Sequence, residues 1–594
     1  MKTLVLAEKP SVGRDIARVL GCKLKGDGYI YSDDYIISWA VGHLVTLQEP
    51  EDYNPGLKKW RMGDLPILPT SMGLKALPKT AKQLNLLKKI MVSKEVGQII
   101  CATDSGREGE LIFRYIYVWA KCDKPVKRLW ISSLTDAAIK DGLAKMKDSA
   151  EYDNLYASAR CRAEADWLVG MNATRAFTLK HNDLLPMGRV QTPTLALLVA
   201  RHHEIEGFQP KDYWEIEATF QKENEEYQGI RINAEGEDRV HSKEEAEAIA
   251  AKVQGKPGIV TKLETEEKRN LPPQLFDLTE LQRECNRKLG FSAQKTLTTA
   301  QSLYEKHKLI TYPRTDSRYL SRDIEPKLTP TLQSITAEPY NAFAQQLLQL
   351  PKLPTGSRII NDAKVTDHHA IIPTGKQPTG ALTADEKAVY DRILRNFIAA
   401  FLPPHIYDVT TMITTIDEEN FRTRGRMDKQ PGWTLLYAHE KTKATDDNPI
   451  PLLLEGDEVT TTDVKTTHKK TQPPKPYTEA TLLSAMENAG RFVDDEELKE
   501  ALKSSGLGTP ATRAAMIEKI ISSGYVERKK KNLTPTEKGI RLISIVPPEM
   551  RQPETTGKWE RGLTRIASGE LDHNKFMASI HRYVEYLVKM AGSN

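Results

Sequence analysis

The sequence predicts a multidomain protein that joins an α/β domain to β-rich and helical domains. Its 594 residues correspond to roughly three to five domains. Near the N-terminus, two short apolar segments end in charged residues and lead into helical patterns, which is typical of a parallel α/β sheet. Further along, two stretches of alternating apolar residues flank a mostly helical stretch. This order predicts one β-rich domain with a helical insertion. Such a long insertion is tolerated because the entropic cost of closing a loop grows only logarithmically with its length.

The composition is that of an ordinary globular protein. Hydrophobic residues make up 39% of the chain and charged residues 28%. The net charge of +5 is compatible with a nucleic-acid ligand but does not by itself indicate one. Five scattered cysteines without a C-x-x-C pair argue for a reducing compartment and against a disulfide framework or a zinc ribbon. No apolar stretch is long enough for a signal peptide or a membrane span, so we expect a soluble, cytoplasmic protein.

The first apolar segment, KTLVLA, is predicted to be a buried strand that delivers Glu8 and Lys9 at its carboxyl end. Pro10 and Ser11 then begin a helical pattern. Open α/β sheets place their sites at this end of a strand. On these residues alone, an acid near a helix N-terminus is an equally good explanation.

The segment QIICAT, residues 98–103, repeats this design and is followed by Asp104, Glu108, Glu110 and an apolar helix. Carboxylates this close repel one another unless a cation or a helix N-terminus offsets their charge. Hard oxygen ligands without His or Cys indicate Mg²⁺. The alternative is a solvated, acid-capped helix start. Glu8 favours the metal, since the two strand ends can be neighbours.

Residues 151–205 have a helical pattern rich in arginine. Arg160, Arg162, Arg175 and Arg189 could line a phosphate track or lie on the surface of ordinary helices. Trp60, in a loop of Gly, Pro and Lys, could stack on a base or close a core, and the loop slightly favours the core.

Alternating patterns predict antiparallel strands within residues 213–265 and again within 405–465. In the insertion between them, Asp277 and Ser292 are predicted to cap two helices that lead into an extended segment, as in a winged helix. Residues 442–476 look like a linker or loose strands. The chain beyond them weakly repeats the plan of the insertion, with Tyr525 in the place of Tyr312 and KKKN at 529–532 as a wing.

The stretch ITYPRTDSRYL, residues 310–320, contains a tyrosine two residues before an arginine. If it is extended, Tyr312 and Arg314 share a face. Pro313 between them favours an edge strand or an irregular segment. A phenol beside a guanidinium suits attack on a phosphodiester, because the arginine holds the phosphate oxygens. A structural tyrosine beside a surface arginine is the usual explanation of an isolated Y-x-R.

Five separated motifs together resemble the type IA DNA topoisomerases, namely LAEKPS, TDSGREGE, GRVQTPTL, ITYPRTDS and DHHAIIPT. They span nearly the whole chain, and LAEKPS, ADWLVGMNATRA and HHAIIPT are most similar to bacterial topoisomerase III. The resemblance implies a toprim domain in a four-domain toroidal architecture with winged-helix-like units.

The resemblance also implies the site residues. The metal ligands would be Glu8, Asp104 and Glu108, and the cofactor Mg²⁺. Gly106 stands where the family pattern has a further acid, so a single Mg²⁺ with several waters is expected.

The implied catalytic residues have separate roles. Tyr312 would be the nucleophile, and Arg314 would stabilise the phosphate charge. Lys9 would protonate the departing 3′-oxygen, and His368 would hydrogen-bond the phosphate or assist proton movement. The expected DNA-binding residues are Trp60, Arg162, Asp166, Arg189, Val190, Gln191, Thr192, Pro193, Thr194 and Thr512.

We expect six segments in four domains. They are a toprim domain at 1–150, a helical DNA-binding domain at 151–212, a β-rich hinge or arch at 213–275, a helical domain with the catalytic tyrosine at 276–404, the second part of the hinge at 405–470, and a helical winged-helix-like second part at 471–594.

The implied activity is ATP-independent. The enzyme would cleave single-stranded DNA through a 5′-phosphotyrosyl intermediate, pass a strand and religate, relaxing negatively supercoiled DNA or decatenating catenated DNA. No G-x-x-x-x-G-K-[ST] motif occurs in the chain. We expect a monomer that associates with the nucleoid. The resemblance is also compatible with a helicase partner. The alternatives are a DNA-binding scaffold that has lost catalysis, with Gly106 as its first sign, and a toprim primase or nuclease.

Overall fold

The computed structural model describes residues 1–438, 440 and 450–592. The first part of the predicted linker at 442–476 therefore lies outside the described residues.

The N-terminal α/β domain is built on a seven-stranded sheet in the order β2-β3-β4-β1-β7-β8-β9, and β5 pairs with β6 separately. Leu4 and Leu6 of β1 pack in one core and Val5 and Ala7 in another. Helices therefore cover both faces of the sheet, as expected for parallel strands. The strands are β1 (Lys2–Ala7), β2 (Leu24–Gly26), β3 (Tyr29–Tyr31), β4 (Tyr35–Trp39), β5 (Val45–Leu47), β6 (Leu74–Ala76), β7 (Val96–Ala102), β8 (Val126–Arg128) and β9 (Lys147–Asp148). The helices are α1 (Pro10–Val19), α2 (Pro50–Tyr53), α3 (Ala81–Met91), α4 (Arg107–Ala120) and α5 (Asp136–Ala144).

The register of the central strands brings the predicted site residues to one edge. Strand β1 is parallel to both β4 and β7, and Ala7 pairs with Trp39 on one side and Ala102 on the other. Glu8 and Asp104 consequently leave adjacent strand ends, which confirms that the two charged segments are neighbours.

Two helices, α6 (Asp153–His181) and α7 (Gln191–Glu206), follow this domain. They confirm the helical pattern of residues 151–205. Both pack against helices from the far end of the chain, so that Leu168 of α6 shares a core with Leu563 and Leu587.

Strands from both sides of the helical insertion close one barrel in the order β10-β11-β14-β13-β12-β15. Its core contains Phe220, Met412 and Phe421. The elements are β10 (Asp212–Lys222), β11 (Glu225–Ile232), α8 (Lys243–Val253), β12 (Pro257–Asn270), β13 (His405–Ile416), β14 (Glu419–Gln430) and β15 (Glu458–Lys470).

Strand β15 confirms the last of the antiparallel strands predicted within 405–465, and it corrects the expectation of a linker or loose strands for this part of residues 442–476. Residues 458–470 are a regular strand that pairs along β10 from Asp212 to Gln221. Closing the barrel satisfies edge hydrogen-bonding groups that would otherwise be exposed.

The helical insertion contains α9 (Leu278–Leu289), α10 (Ala293–Glu305), α11 (Glu325–Gln333), α12 (Tyr340–Leu348) and α13 (Ala384–Ala399). Both predicted caps are confirmed, since the side chain of Asp277 accepts from Glu280 N and that of Ser292 accepts from Lys295 N. Between α10 and α11 the chain is irregular and makes only single bridges, from Ile310 to Pro373 and from Leu320 to Ile360. Pro313 lies in this irregular segment, in line with its predicted effect.

The last part of the chain is helical around a small hairpin. Its elements are α14 (Glu479–Glu487), α15 (Glu496–Ser505), α16 (Pro510–Ser522), β16 (Val526–Lys529), β17 (Asn532–Pro535), α17 (Glu537–Ile545), α18 (Pro548–Arg551), α19 (Pro553–Ala567) and α20 (His573–Gly592). The hairpin β16–β17 forms the predicted wing. Tyr525 is fully buried and its hydroxyl donates to Pro186 O at 3.0 Å, so it is structural. Among the described helices, none combines the length and apolarity that crossing a bilayer requires.

Candidate active site

Four predicted catalytic or metal residues from distant parts of the chain meet at the edge of the sheet. Lys9 Nζ lies 2.5 Å from Asp104 Oδ2 and 3.9 Å from the centroid of the Tyr312 ring. His368 Nε2 lies 3.3 Å from the same Asp104 oxygen, and its ring centroid is 4.4 Å from that of Tyr312. The helical insertion thus presents a tyrosine and a histidine directly to the two strand ends.

The charges at this meeting point hold one another in place. Burial opposes the charged forms of Lys9 and Asp104, yet the pKa of Lys9 is raised by the charges of Asp104 and Glu8. The pKa of Asp104 is lowered by the hydrogen bond from His368 and the charge of Lys9, despite its burial. Lys9 therefore stays protonated and Asp104 stays ionised at neutral pH.

The ring of Tyr312 is half-buried and packs against a second tyrosine. The Tyr304 ring meets it edge-on with centroids 5.3 Å apart, and Ser11 Oγ lies 3.4 Å from the Tyr304 hydroxyl. Burial raises the pKa of Tyr312, and the positive charge of Lys9 opposes that rise. Arg314 is exposed and its Nη2 donates to Gln301 Oε1 at 3.0 Å. Tyr312 and Arg314 thus have different surroundings, because the segment is irregular rather than extended.

The acidic turn offers two adjacent carboxylates for a cation. Glu8 Oε2 accepts from the backbone N–H of Asp104 at 3.1 Å. Burial and the charge of Asp104 raise the pKa of Glu8, which means that the negative charge there is only partly compensated. Hard oxygen donors with excess negative charge fit Mg²⁺. Glu8 and Asp104 have both of these properties. Within the described ranges, however, no group of three or more His, Cys, Asp or Glu side chains is arranged to hold a metal ion.

The third predicted ligand, Glu108, is engaged elsewhere. Its Oε1 lies 2.5 Å from His43 Nε2, and this hydrogen bond lowers the pKa of Glu108. The same contact raises the pKa of His43 in spite of its burial. His43 was missed in the sequence analysis. Its signal was its position just after β4, a third strand that ends at the same edge.

The sequence analysis also missed Asp367, which directly precedes His368. Its carboxylate fills the space beside Gly106 in the acidic turn. Burial and the charges of Asp316 and Asp104 raise the pKa of Asp367 to about 6.

Seven of the ten predicted DNA-binding residues line one cavity of about 540 Å³ between α6, α7, α16 and the loop before β6. We call this cavity the groove; the seven are Trp60, Arg162, Asp166, Arg189, Val190, Gln191 and Thr512. Trp60 is half-buried on the groove wall, under the Arg175 guanidinium at 5.1 Å, so the slight preference for a core position was wrong. Arg160 instead lines a different cavity.

The remaining three, Thr192, Pro193 and Thr194, are buried in the first turn of α7. The Thr192 hydroxyl accepts from Gly188 N, and the Thr194 hydroxyl donates to Val190 O. Their hydroxyls hold the turn together, so they shape the groove from behind instead of facing a strand.

A buried carboxylate that the sequence analysis missed, Glu560 of α19, connects the groove to the acidic turn. Its oxygens accept from Arg189 Nη1 at 3.1 Å and from Arg107 Nη2 at 3.0 Å. Arg189 also pairs with Asp166 at 3.0 Å. The charges of Arg189, Arg107 and Arg162 lower the pKa of Glu560 to about 2 against the effect of burial. Nothing near Glu560 in the sequence marked this role.

Comparison with known proteins agrees with this geometry. A family described as DNA topoisomerase matches residues 150–578, and the Toprim domain family matches residues 3–134. The chain is 43% identical to DNA topoisomerase 3 of Bacillus licheniformis over 99% of this chain and 81% of that protein. It is 44% identical to DNA topoisomerase 3 of Bacillus subtilis, with the same shares covered.

The fold has a counterpart among solved structures. Full-length topoisomerase I from Thermotoga maritima superposes with a TM-score of 0.70 at 21% sequence identity, covering 99% of this chain and 90% of the other. The multidomain architecture predicted from the motifs is confirmed by this likeness and by the Toprim match. The chain belongs to the type IA DNA topoisomerases and is similar to topoisomerase III.

Proposed function

We propose that Tyr312 is the nucleophile of this topoisomerase. Its hydroxyl would attack a phosphodiester of single-stranded DNA, join the 5′-phosphate to the tyrosine and release a free 3′-hydroxyl. The observation that carries this assignment is the packing of the Tyr312 ring between Lys9 and His368 beside Asp104. Tyr525, the other tyrosine in a comparable sequence position, is buried against Pro186.

Lys9 is the proposed general acid. A leaving 3′-oxygen needs a proton, and Lys9 carries one because its raised pKa keeps it charged. Its ammonium lies over the Tyr312 ring, close to where the bond would break. The same charge would favour the phenolate as the attack develops.

Arg314 and His368 would stabilise the charge on the phosphate. The Arg314 side chain is exposed and its present partner is a neutral amide, Gln301. Exchanging that amide for a phosphate would strengthen the interaction, because a phosphate carries the opposite charge and can accept two parallel hydrogen bonds from the guanidinium. His368 lies beside the ring of Tyr312, and its Nε2 donates to the ionised carboxylate of Asp104.

Mg²⁺ is the proposed cofactor, with Glu8 and Asp104 as the residues that would hold it and Glu108 joining them if it leaves His43. When bound, the cation would supply positive charge that positions the DNA backbone for religation. The covalent ester conserves the energy of the broken bond, so no nucleotide is needed.

Strand passage would need the helical insertion to lift away from the N-terminal α/β domain. The contact between them includes polar hydrogen bonds, in which Asp323 accepts from Ser133 Oγ at 2.5 Å and from Thr135 Oγ1 at 2.8 Å. The β-barrel carries both connections to the insertion, so it is the proposed hinge. Relaxation, decatenation or both would follow, by a monomer acting on single-stranded regions in the cytoplasm, with or without a helicase partner.

The assignment is tested by trapping. The protein is incubated with end-labelled single-stranded DNA, denatured, digested, and the modified residue mapped by mass spectrometry. The expected product is a nucleotide attached to Tyr312 through its 5′-phosphate. An adduct on another residue would refute the assignment, and the absence of any adduct would favour a non-catalytic scaffold. If the protein were a primase or a nuclease, no nucleotide would become attached to Tyr312.

A further inference from the structure

Tyr312 opens onto a second cavity, of about 540 Å³, which shares none of its lining residues with the groove. We call it the basic cavity. One wall comes from α1 and the loop at 132–135 of the N-terminal α/β domain. The other wall comes from α10, α11 and residues 368–376 of the helical insertion. The cavity therefore spans the two bodies that must part during strand passage.

The lining of the basic cavity is strongly positive. Four cationic side chains face it, Arg14, Lys308, Lys327 and Lys376, against one carboxylate, Asp15. The charge of Asp15 is already paired, because its Oδ1 lies 3.5 Å from Arg18 Nη2, and Arg18 does not line the cavity. The Ser11 hydroxyl supplies further hydrogen-bonding capacity, whereas the Thr311 hydroxyl already donates to Ala370 O at 3.0 Å.

Across the described chain, the four cations lack a directly paired carboxylate, although Lys308 Nζ also lies over the Tyr304 ring, 5.4 Å from its centroid. In the part of the chain that the structure describes, none of the four is within ion-pair distance of a carboxylate. Burial lowers the pKa of Lys308, and the charges of Arg14 and Lys376 lower it further. Burial likewise lowers the pKa of Lys327. Carboxylates such as Glu305 and Asp323 offset part of this charge from a greater distance. Four cationic side chains against one carboxylate in the lining still leave an excess of positive charge, which fits an anion such as a phosphodiester.

We propose that the basic cavity binds the DNA strand on the 3′ side of the cleavage point, the piece that stays attached to Tyr312 through its 5′-phosphate. This inference rests on the proposed function of Tyr312. A strand that follows the groove to the tyrosine would continue into this cavity. Its phosphodiesters would contact Lys308, Lys327 and Lys376, which belong to the insertion, and Arg14, which does not.

The division of the cations between the two walls has a consequence for the open state. Three of the four move with Tyr312 when the insertion lifts. They would hold the first phosphates of the attached strand in a fixed direction and keep its 5′ end aligned for religation. The contact between Arg14 and the attached strand would break when the insertion lifts and form again when it returns.

The test measures binding without chemistry. In a Tyr312→Phe background, single-stranded oligonucleotides share one 5′ part and end either one or six nucleotides beyond the mapped cleavage point. Dissociation constants are measured from 50 to 200 mM salt. The variant is Lys327→Ala with Lys376→Ala. The control is Lys364→Ala, an exposed lysine of the same insertion beside Tyr319, outside the basic cavity.

The longer oligonucleotide should bind more tightly, with a steeper salt dependence, and the double variant should remove that gain. Each lost phosphate contact lowers the slope of log K against log salt by about 0.7, so the double variant should lose about 1.4 for the longer oligonucleotide only. The control should match the parent protein. Equal loss for both lengths, or no loss, would overturn the proposal. Because no adduct forms here, a failure of the Tyr312 assignment would appear only in the trapping experiment.

Discussion

A Cβ atom on Gly106 would lie 2.7 Å from Asp367 Oδ2 and 3.0 Å from Asp367 Oδ1. The carboxylate of the helical insertion therefore occupies the space that a side chain at residue 106 would fill in the acidic turn. The resemblance to the family implies a further acid at this position, and the structure has the carboxylate of Asp367 beside Gly106 instead. A side chain at residue 106 would therefore require the Asp367 carboxylate to move.

Replacing Gly106 by Asp should weaken this contact, because the new side chain meets Asp367 with the same charge. We expect relaxation to slow by about tenfold or more, equivalent to about 1.4 kcal/mol. Combining Gly106→Asp with Asp367→Gly should restore much of the rate, since space and charge are exchanged across the contact. Gly356→Asp is a suitable control because a Cβ at Gly356 meets open space. Full activity of Gly106→Asp alone would contradict the steric argument.

Tyr312→Phe should bind single-stranded DNA as the parent protein does but form no adduct and relax no negatively supercoiled plasmid. Only the hydroxyl is lost, so the packing against Lys9 and His368 remains. Gel assays of relaxation and of covalent complexes measure both effects. Tyr304→Phe is the matched control, since Tyr304 touches the same ring. Residual relaxation by Tyr312→Phe would count against the assignment.

Lys9→Met should slow cleavage of ordinary DNA by about 10² to 10⁴ if Lys9 is the general acid. A substrate with a 3′-bridging sulfur at the cleavage point needs no proton on its leaving group. The variant should therefore cleave this substrate at nearly the parental rate. Single-turnover kinetics with both substrates make the comparison. Equal slowing of the two would show that Lys9 acts by another route, such as holding Asp104.

Removal of Mg²⁺ by a chelator should leave cleavage of single-stranded DNA intact but stop relaxation. The proposed metal residues Glu8 and Asp104 serve positioning for religation, whereas attack depends on Tyr312 and Lys9. Isothermal titration with Mg²⁺ should show weaker binding for Glu8→Gln and Asp104→Asn. Relaxation at the full rate in chelator would refute the prediction.

Glu560→Gln should destabilise the protein by about 3 kcal/mol at neutral pH, because it removes a buried charge between arginines. The pKa of Glu560 in the folded protein, about 2, lies below the ordinary value of 4.5. Its stabilising contribution is therefore complete above about pH 4.5 and fades as the pH falls toward 2. Thermal unfolding of variant and parent should differ by a constant amount from pH 7 to 5 and converge below that range. A difference that grows on acidification would contradict this sign.

The sequence by itself determined the main elements and the family, and it supplied the residues proposed for the chemistry. Alternating patterns predicted the strands of the barrel, Asp277 and Ser292 marked helix starts, and the apolar segments before Glu8 and Asp104 predicted adjacent parallel strands. These features depend on local preferences and on which faces must be buried, and both are written in consecutive residues. The motifs around Tyr312 and His368 identified the family.

Only the tertiary structure decided which charges face one another. Glu108 bonds to His43, Glu560 joins Arg107 to Arg189, and Asp367 reaches Gly106. Each of these pairs is far apart in sequence. The Glu108–His43 contact depends on how strands and loops pack within the N-terminal α/β domain, and the other contacts depend on how separate domains pack, neither of which residue spacing encodes. For the same reason, Thr192 and Thr194 looked like ligand contacts in the motif but are buried in the turn that supports it.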